Sequence, residues 1–259
     1  MSANLMSLAS SGGKFLKLFG DRKMMKTTPT ARDYVQDGLI AMWDGIENAG
    51  WGVHDGASTE WVDLVGGADF TLTENGSFDE SSFVCNGLSA KGDGISLGLG
   101  YTIECVTYNY NRAGYFCAFN LDRIRLRKSF VFYRNFCHLT GGGSQFGTPP
   151  VSIGMHSWSA VVGEPLLPSS YFQRMFTSYF IDGQMSDEYQ TGNWADTWHS
   201  TDYSDFASIG CLNLNGSDKY PFTGRIHSIR VYNRSLTSSE VAANYAIDKA
   251  RFNIKTPTI

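Results

Sequence analysis

The sequence predicts an all-β fold: two antiparallel sheets packed face to face, with a short C-terminal helix and a separate N-terminal segment. Three observations predict it. Short runs rich in β-branched and aromatic residues recur along the chain, divided by turns containing Gly, Asn and Asp. One of them alternates cleanly, with Ile103, Cys105 and Thr107 on one face and Thr102, Glu104, Val106 and Tyr108 on the other. The one convincing helix signal lies near the end, where Thr237-Ser-Ser-Glu240 forms a capping box.

Composition bounds the function classes. A chain of 259 residues can bury a two-layer core without disulfides or a metal. Charged residues make up 18%, too few for a disordered body. Residues 1–32 hold six cations (Lys14, Lys17, Arg22, Lys23, Lys26 and Arg32) against Asp21 alone, a net +5. The whole chain carries -4, so the remainder carries -9, which argues against nucleic acid as the main ligand. Cys85, Cys105, Cys117, Cys137 and Cys211 are scattered, odd in number and lack zinc spacing. They read as small buried hydrophobes of a chain made in a reducing compartment, with one isolated disulfide as the alternative. No run approaches the roughly 20 apolar residues of a spanning helix. Residues 1–11 lack the charged start and apolar run of an export signal.

In chain order, residues 1–33 read as a separate segment. Phe15, Leu16, Leu18 and Phe19 suit either a short apolar turn docked on a partner chain or a frayed tail. Strands follow at 38–43, 61–64, 69–72 and 82–85, with a loop at 44–60 that is rich in Gly, Asp and Trp. Further strands fall at 102–108, 115–119, 129–136 and 158–162, and a surface loop at 140–150. Residues 179–184 read as a hairpin, because Asp182-Gly183 tolerates the positive φ angles of a type I′ turn. A long acidic and aromatic loop spans 186–205, and the last strands span 207–211 and 224–232. In the final strand Ile229 and Val231 face one way and Arg230 and Tyr232 the other. Ile226 breaks this parity, which predicts a bulge near His227 or Ser228. Polar residues outward suit a sheet with one wet face. In the helix, Leu236 and Val241 are placed as a hydrophobic staple. Val241 with Tyr245, and Ala242 with Ala246, give an apolar stripe at i, i+4 spacing. Residues 251–259 read as a tail.

The segment Phe222-Thr-Gly224-Arg-Ile226-His-Ser-Ile229-Arg-Val231-Tyr-Asn233-Arg234-Ser-Leu236-Thr-Ser-Ser-Glu240-Val241 resembles the closing strand and helix of laminin G-like, concanavalin A-like jelly rolls. Residues 38–43 are similar to that family's opening strand, 61–67 to its D-x-x-G segment, 101–105 to its f-T-i-s strand and 179–184 to its l-Y-v-d-G hairpin. The resemblance covers about residues 34–250 and implies a jelly-roll domain there. The family's calcium ligands have no residue-by-residue match, so the resemblance extends to fold and not to site. Residues 33–54 are also similar to the openings of jelly-roll proteins from gut bacteria, their prophages and phages.

Two loops hold the candidate site residues. In 44–61, Trp51, His54 and Asp55 suit sugar contact, an aromatic face beside short polar groups. The alternative is that Trp51 only covers the sandwich edge, while Trp43 and Trp61 read as core. In 186–205, Trp194, Trp198 and Tyr203 are further sugar-contacting candidates. Asp196, His199 and Asp202 are candidates for a metal site, and the loop's density of oxygen ligands suits calcium. The alternative there is a polar loop packed by its own Trp residues. Jelly-roll glucanases carry an E-x-D-x-(x)-E run that supplies their pair of carboxylates, and the sequence has none. The expectation is a non-catalytic binding or display module recognising cell-surface glycans. Its expected setting is a phage virion or cell surface, reached from the cytoplasm without an export signal. Residues 1–33 would anchor it to other chains of the particle, and a homo-oligomer is expected. A lectin-like bacterial surface protein and a glycan hydrolase are the rival readings.

Overall fold

The computed structural model describes residues 28–93, 95, 100–109, 115–121, 128–133, 136–140, 145–147, 154–163, 175–191, 206–210, 212–214, 217–219 and 221–255. A short 3-10 turn, Ala31–Asp33, comes first. The strands are β1 (Leu39–Asp44), β2 (Glu60–Trp61), β3 (Phe70–Leu72), β4 (Gly76–Phe78), β5 (Phe83–Asn86), β6 (Ala90–Asp93), β7 (Tyr101–Asn109), β8 (Tyr115–Leu121), β9 (Lys128–Tyr133), β10 (Phe136–Thr140), β11 (Gln145–Gly147), β12 (Gly154–Val162), β13 (Met175–Ile181), β14 (Gln184–Thr191), β15 (Phe206–Ile209), β16 (Leu212–Leu214), β17 (Ser217–Lys219) and β18 (Thr223–Tyr232). Helix α1 (Ser238–Phe252) closes the series.

The strands form two antiparallel sheets and a small β16–β17 pair. The first sheet runs β14-β13-β12-β7-β18-β5-β4, with β1 also beside β18. The second runs β11-β10-β9-β8-β15-β6-β3-β2. Strand β18 is the spine of the first sheet. It pairs with β7 along its length, while β5 and then β1 share its other edge. The expected bulge is present: the β18–β7 register shifts between Ile226 and Ser228. The main core lies between the sheets. Trp43, Phe83, Ile103, Cys105, Ile229 and Val231 come from the first sheet, and Trp61, Phe70, Ala90 and Ile209 from the second. Trp43 and Trp61 are core residues, as expected, each with its indole N–H donating to a backbone carbonyl. Cys85 and Cys105 are buried in the core, as expected of small hydrophobes.

The hairpin at β13–β14 turns on Asp182 and Gly183, both at positive φ (52° and 74°), as a type I′ turn requires. His156 Nδ1 lies 2.9 Å from Asp182 Oδ2, and the other carboxylate oxygen accepts from Ser157 N. Gly183 packs under the Tyr245 ring, which joins the hairpin to α1. The hairpin is longer than expected. Residues 186–191 belong to β14 and not to a loop, and β11 pairs with β10 inside the stretch read as a surface loop.

The outer face of the first sheet departs most from expectation. It is covered. Helix α1 and the segment 31–35 lie over it, and a second cluster (Tyr34, Met42, Phe180, Tyr232, Leu236, Val241) packs there. Leu236 and Val241 meet in this cluster, as a staple should. The buried residues of α1 are Val241, Asn244, Asp248 and Phe252, whereas Ala242 and Ala246 are exposed. The stripe is therefore half polar, and it faces a polar strip of the sheet. Arg230, fully buried, donates Nη1 and Nη2 to the two oxygens of Asp248 (2.8 and 2.9 Å) and Nε to Glu104 (2.9 Å), with its guanidinium 4.0 Å from the Tyr34 ring centroid. Tyr34 OH and Ser157 Oγ donate to Asp248, and Ser159 Oγ and Asn244 Nδ2 donate to Glu104. Burial would push the Arg230 guanidinium down, but Asp248 and then Glu104 outweigh it and hold it well above its usual range. Glu104 receives only one N–H of that guanidinium. Burial outweighs that attraction and raises its carboxyl.

The body extends beyond residues 34–250 at both ends. Ala31 is fully buried, and Phe252 and Ile254 pack with Val106. Among the described residues no helix is long and apolar enough to cross a membrane.

Candidate functional site

The loop from β1 to β2 is built on three buried polar residues. Asp44 ends β1, and its Oδ1 accepts from the backbone N–H groups of Ile46 and Glu47 (3.0 and 3.1 Å), which turns the chain sharply out of the sheet. Arg251, from the last turn of α1, donates to both Asp44 oxygens (2.7 and 3.0 Å). Burial raises the Asp44 carboxyl despite this pairing. Glu47 Oε1 accepts from Ala31 N and from Arg251, while Oε2 accepts from Gly52 N. One carboxylate thus joins the N-terminal segment, the loop tip and α1. Asn48 clamps the loop's return: Nδ2 donates to Asp55 O and Oδ1 accepts from Asp55 N, both at 2.8 Å. Asp55 Oδ1 accepts from Ala57 N, an Asx turn.

This base presents an ordered rim. Val53 is 50% exposed, His54 and Asp55 are exposed, and Trp51 is half-buried against the second cluster. Gly50 and Gly52 flank the indole at positive φ, and a Cβ at either would meet nothing within 4 Å. The Arg32 guanidinium lies 4.2 Å from the centre of the Trp51 ring.

Of the residues expected to form a site, Trp51, His54 and Asp55 lie on one loop. Trp51 is half-buried and packs against the second cluster, with exposed Val53, His54 and Asp55 following it. Trp194, Trp198 and Tyr203, with the metal candidates Asp196, His199 and Asp202, lie outside the described residues. Among the described residues no group of three His, Cys, Asp or Glu side chains is placed to hold a metal. Sequence reasoning missed Arg32 by assigning residues 1–33 to a separate segment. The available signal was Thr30-Ala-Arg-Asp33, which repeats the pattern at the start of α1 and forms the same reciprocal capping box.

Among solved structures, the chain resembles a Trypanosoma rangeli sialidase mutant displaying trans-sialidase activity, with a TM-score of 0.52 at 14% identity over 82% of this chain and 33% of that one. The Trypanosoma rangeli sialidase in complex with sialic acid gives 0.50 at 15%, over 86% and 34%. The receptor binding domain of botulinum neurotoxin type G gives 0.50 at 12%, over 82% and 52%. The fold is an all-β sandwich of two antiparallel sheets with a short C-terminal helix. At these identities the likeness concerns fold alone, and the chain spans about a third of the sialidase chains' length. No protein-family model and no curated protein matches the sequence.

Proposed function

We propose that this chain is a non-catalytic carbohydrate-recognition module that contacts sugar through the rim of the 44–61 loop. The observation that carries the reading is the rim: Trp51, Val53, His54 and Asp55 stand at the outer end of a loop whose base is already fixed by Asp44, Glu47 and Asn48. Apolar surface beside exposed polar groups, on backbone that need not be ordered by the ligand, is what saccharide binding uses. Neighbours of like fold bound to sialic acid, or named for receptor binding, support the class. The buried carboxylates support the non-catalytic part. Asp44, Glu47, Glu104 and Asp248 are each held by an arginine beneath or beside α1, whereas a glycosidase pair must face a substrate groove. On this reading the basic segment before residue 28 attaches the module to neighbouring chains of a virus particle or cell surface.

The test is glycan-array binding by the full chain, with and without calcium, beside Trp51→Ala and the double variant His54→Ala/Asp55→Ala. Circular dichroism checks each variant's fold. Binding that falls at least about 10-fold in both variants, roughly the effect of losing one good contact, supports the rim. Binding that survives both and fails after Trp198→Ala moves the site to the 186–205 segment. No binding by any form overturns the proposal.

A further inference from the structure

We propose that Arg32 makes the rim selective for acidic saccharides, its guanidinium receiving a sugar carboxylate while the sugar ring lies beside Trp51 and Val53. The inference rests on the proposed glycan-binding role and names its ligand class. Arg32 differs from the other arginines whose side chains are described. Arg225, Arg230, Arg234 and Arg251 are each paired with a carboxylate, the nearest oxygens lying 2.6–2.8 Å away. Arg32 has no such pair among the described residues, and its guanidinium lies over the Trp51 ring instead. Its backbone does not wander. Ala31 is buried with its N–H on Glu47, Arg32 N donates to Thr30 Oγ1, and Thr30 and Asp33 cap one another.

The nearby carboxylates are engaged in their own turns. Asp33 Oδ2 accepts from Thr30 N (2.7 Å) and Thr30 Oγ1 (3.0 Å), and Asp55 Oδ1 accepts from Ala57 N (2.9 Å). A guanidinium stacked on an indole keeps its N–H donors at its edge, where they fit the two oxygens of a carboxylate in parallel. The open space at Gly50 and Gly52 leaves room for a ring beside Trp51. The arrangement is therefore a partly preorganised anion receptor next to apolar surface. A lysine in its place would keep the charge and lose the fork.

The experiment titrates the full chain, by calorimetry, with two matched pairs: lactose against sialyllactose, and a glucose-terminated against a glucuronate-terminated oligosaccharide. Arg32→Ala and Arg32→Lys are measured in parallel, with a thermal melt to confirm folding. The expected result is tighter binding of the acidic member in both pairs by about 10-fold, the scale of one charge-assisted contact. That preference is abolished in Arg32→Ala, reduced in Arg32→Lys, and weakened by added salt in the parent. Equal binding of neutral and acidic members overturns the inference and leaves the glycan-binding reading standing. So does an acidic preference that survives Arg32→Ala. A gain of neutral-sugar binding in Arg32→Ala also overturns it, because Arg32 is then a cover on Trp51 and not a receptor. Failure of every form to bind either pair overturns the inference together with the reading on which it rests.

Discussion

Arg230 offers the sharpest test of the buried layer beneath α1. Substitution by Met keeps most of its length and removes the charge, so little cavity forms and the loss is electrostatic. The guanidinium neutralises two buried carboxylates, donating twice to Asp248 and once to Glu104. Its loss leaves both facing low dielectric. Breaking a buried ion pair on one side costs about 3–5 kcal/mol. For a body of this size that lowers the melting temperature by about 6–20 °C. Chemical denaturation at pH 7 measures the loss. A second arm adds Glu104→Gln and Asp248→Asn, which keep acceptors for Tyr34, Ser157 and Asn244 but remove the orphaned charges. At least half the loss should return. A third arm varies pH. Burial already holds the Glu104 carboxyl above its usual 4.5, and without Arg230 it rises further. A carboxylate raised on folding favours the folded state once protonated, and that gain fades as pH climbs through its folded value. The gap between Arg230→Met and parent should therefore narrow as pH falls from 7 towards 4.5. A loss under about 1 kcal/mol, below the range for a broken buried pair, would refute the reasoning. So would a triple variant no more stable than the single one, or a gap that ignores pH.

Other predictions test separate joints of the fold. His227 sits at the β18 bulge, its Nδ1 at Ser81 O and its Nε2 buried without a partner, and burial lowers its pKa below 6.5. Its neutral form suits the folded state, so stability is full above pH 6.5 and falls as pH drops through the lowered value. Denaturation midpoints of His227→Gln should show a shallower decline than the parent between pH 7 and 5. Thr237→Ala removes the cap of α1 and should lower stability by about 1 kcal/mol in denaturant titration. The partner in that box, Glu240, is held down to about 2 by Arg234 and then by Thr237 N–H, so the cap should persist in mild acid. Gly183→Ala places a Cβ at φ 74° against the Tyr245 ring and should cost more than about 1 kcal/mol, read from the thermal midpoint.

Much of the fold was legible in the sequence because local chemistry and tertiary structure agree there. The Asp182-Gly183 turn, the Thr237–Glu240 box, the Leu236–Val241 staple and the parity break at Ile226 each have one cheap solution, and the chain adopts it. The covered outer face was illegible for a specific reason. Alternation in 102–108 and 228–232 separates polar from apolar residues, but it does not say whether the polar side meets water. Arg230 and Tyr232 read as a wet face, whereas Asp248 pairs with Arg230 and Asn244 donates to the Tyr232 hydroxyl from α1. The helix stripe failed in the same way. Counting apolar residues selected Ala242 and Ala246, which are exposed, while two of the four buried positions, Asn244 and Asp248, are polar and bond to polar residues of the sheet. Matching opposite polar patterns between elements would have found both. At the candidate site, Trp51, His54 and Asp55 were readable as loop residues, but the position of Arg32 depends on Glu47 holding Ala31 from 16 residues away in sequence.

The meeting of the two ends at Glu47 has a mechanical consequence. Ala31 N and Arg251 both donate to that carboxylate, and Arg251 Nη1 also donates to the Tyr34 hydroxyl oxygen at 3.4 Å. Tension between whatever precedes Thr28 and whatever follows Lys255 would fall on these bonds and on the packing of Phe252 and Ile254 against Val106. Both ends of the body are thus tied to the same carboxylate, and breaking it would loosen the last turn of α1 together with the 31–35 segment. Because Ala31 is held there, releasing it would also draw Arg32 off Trp51.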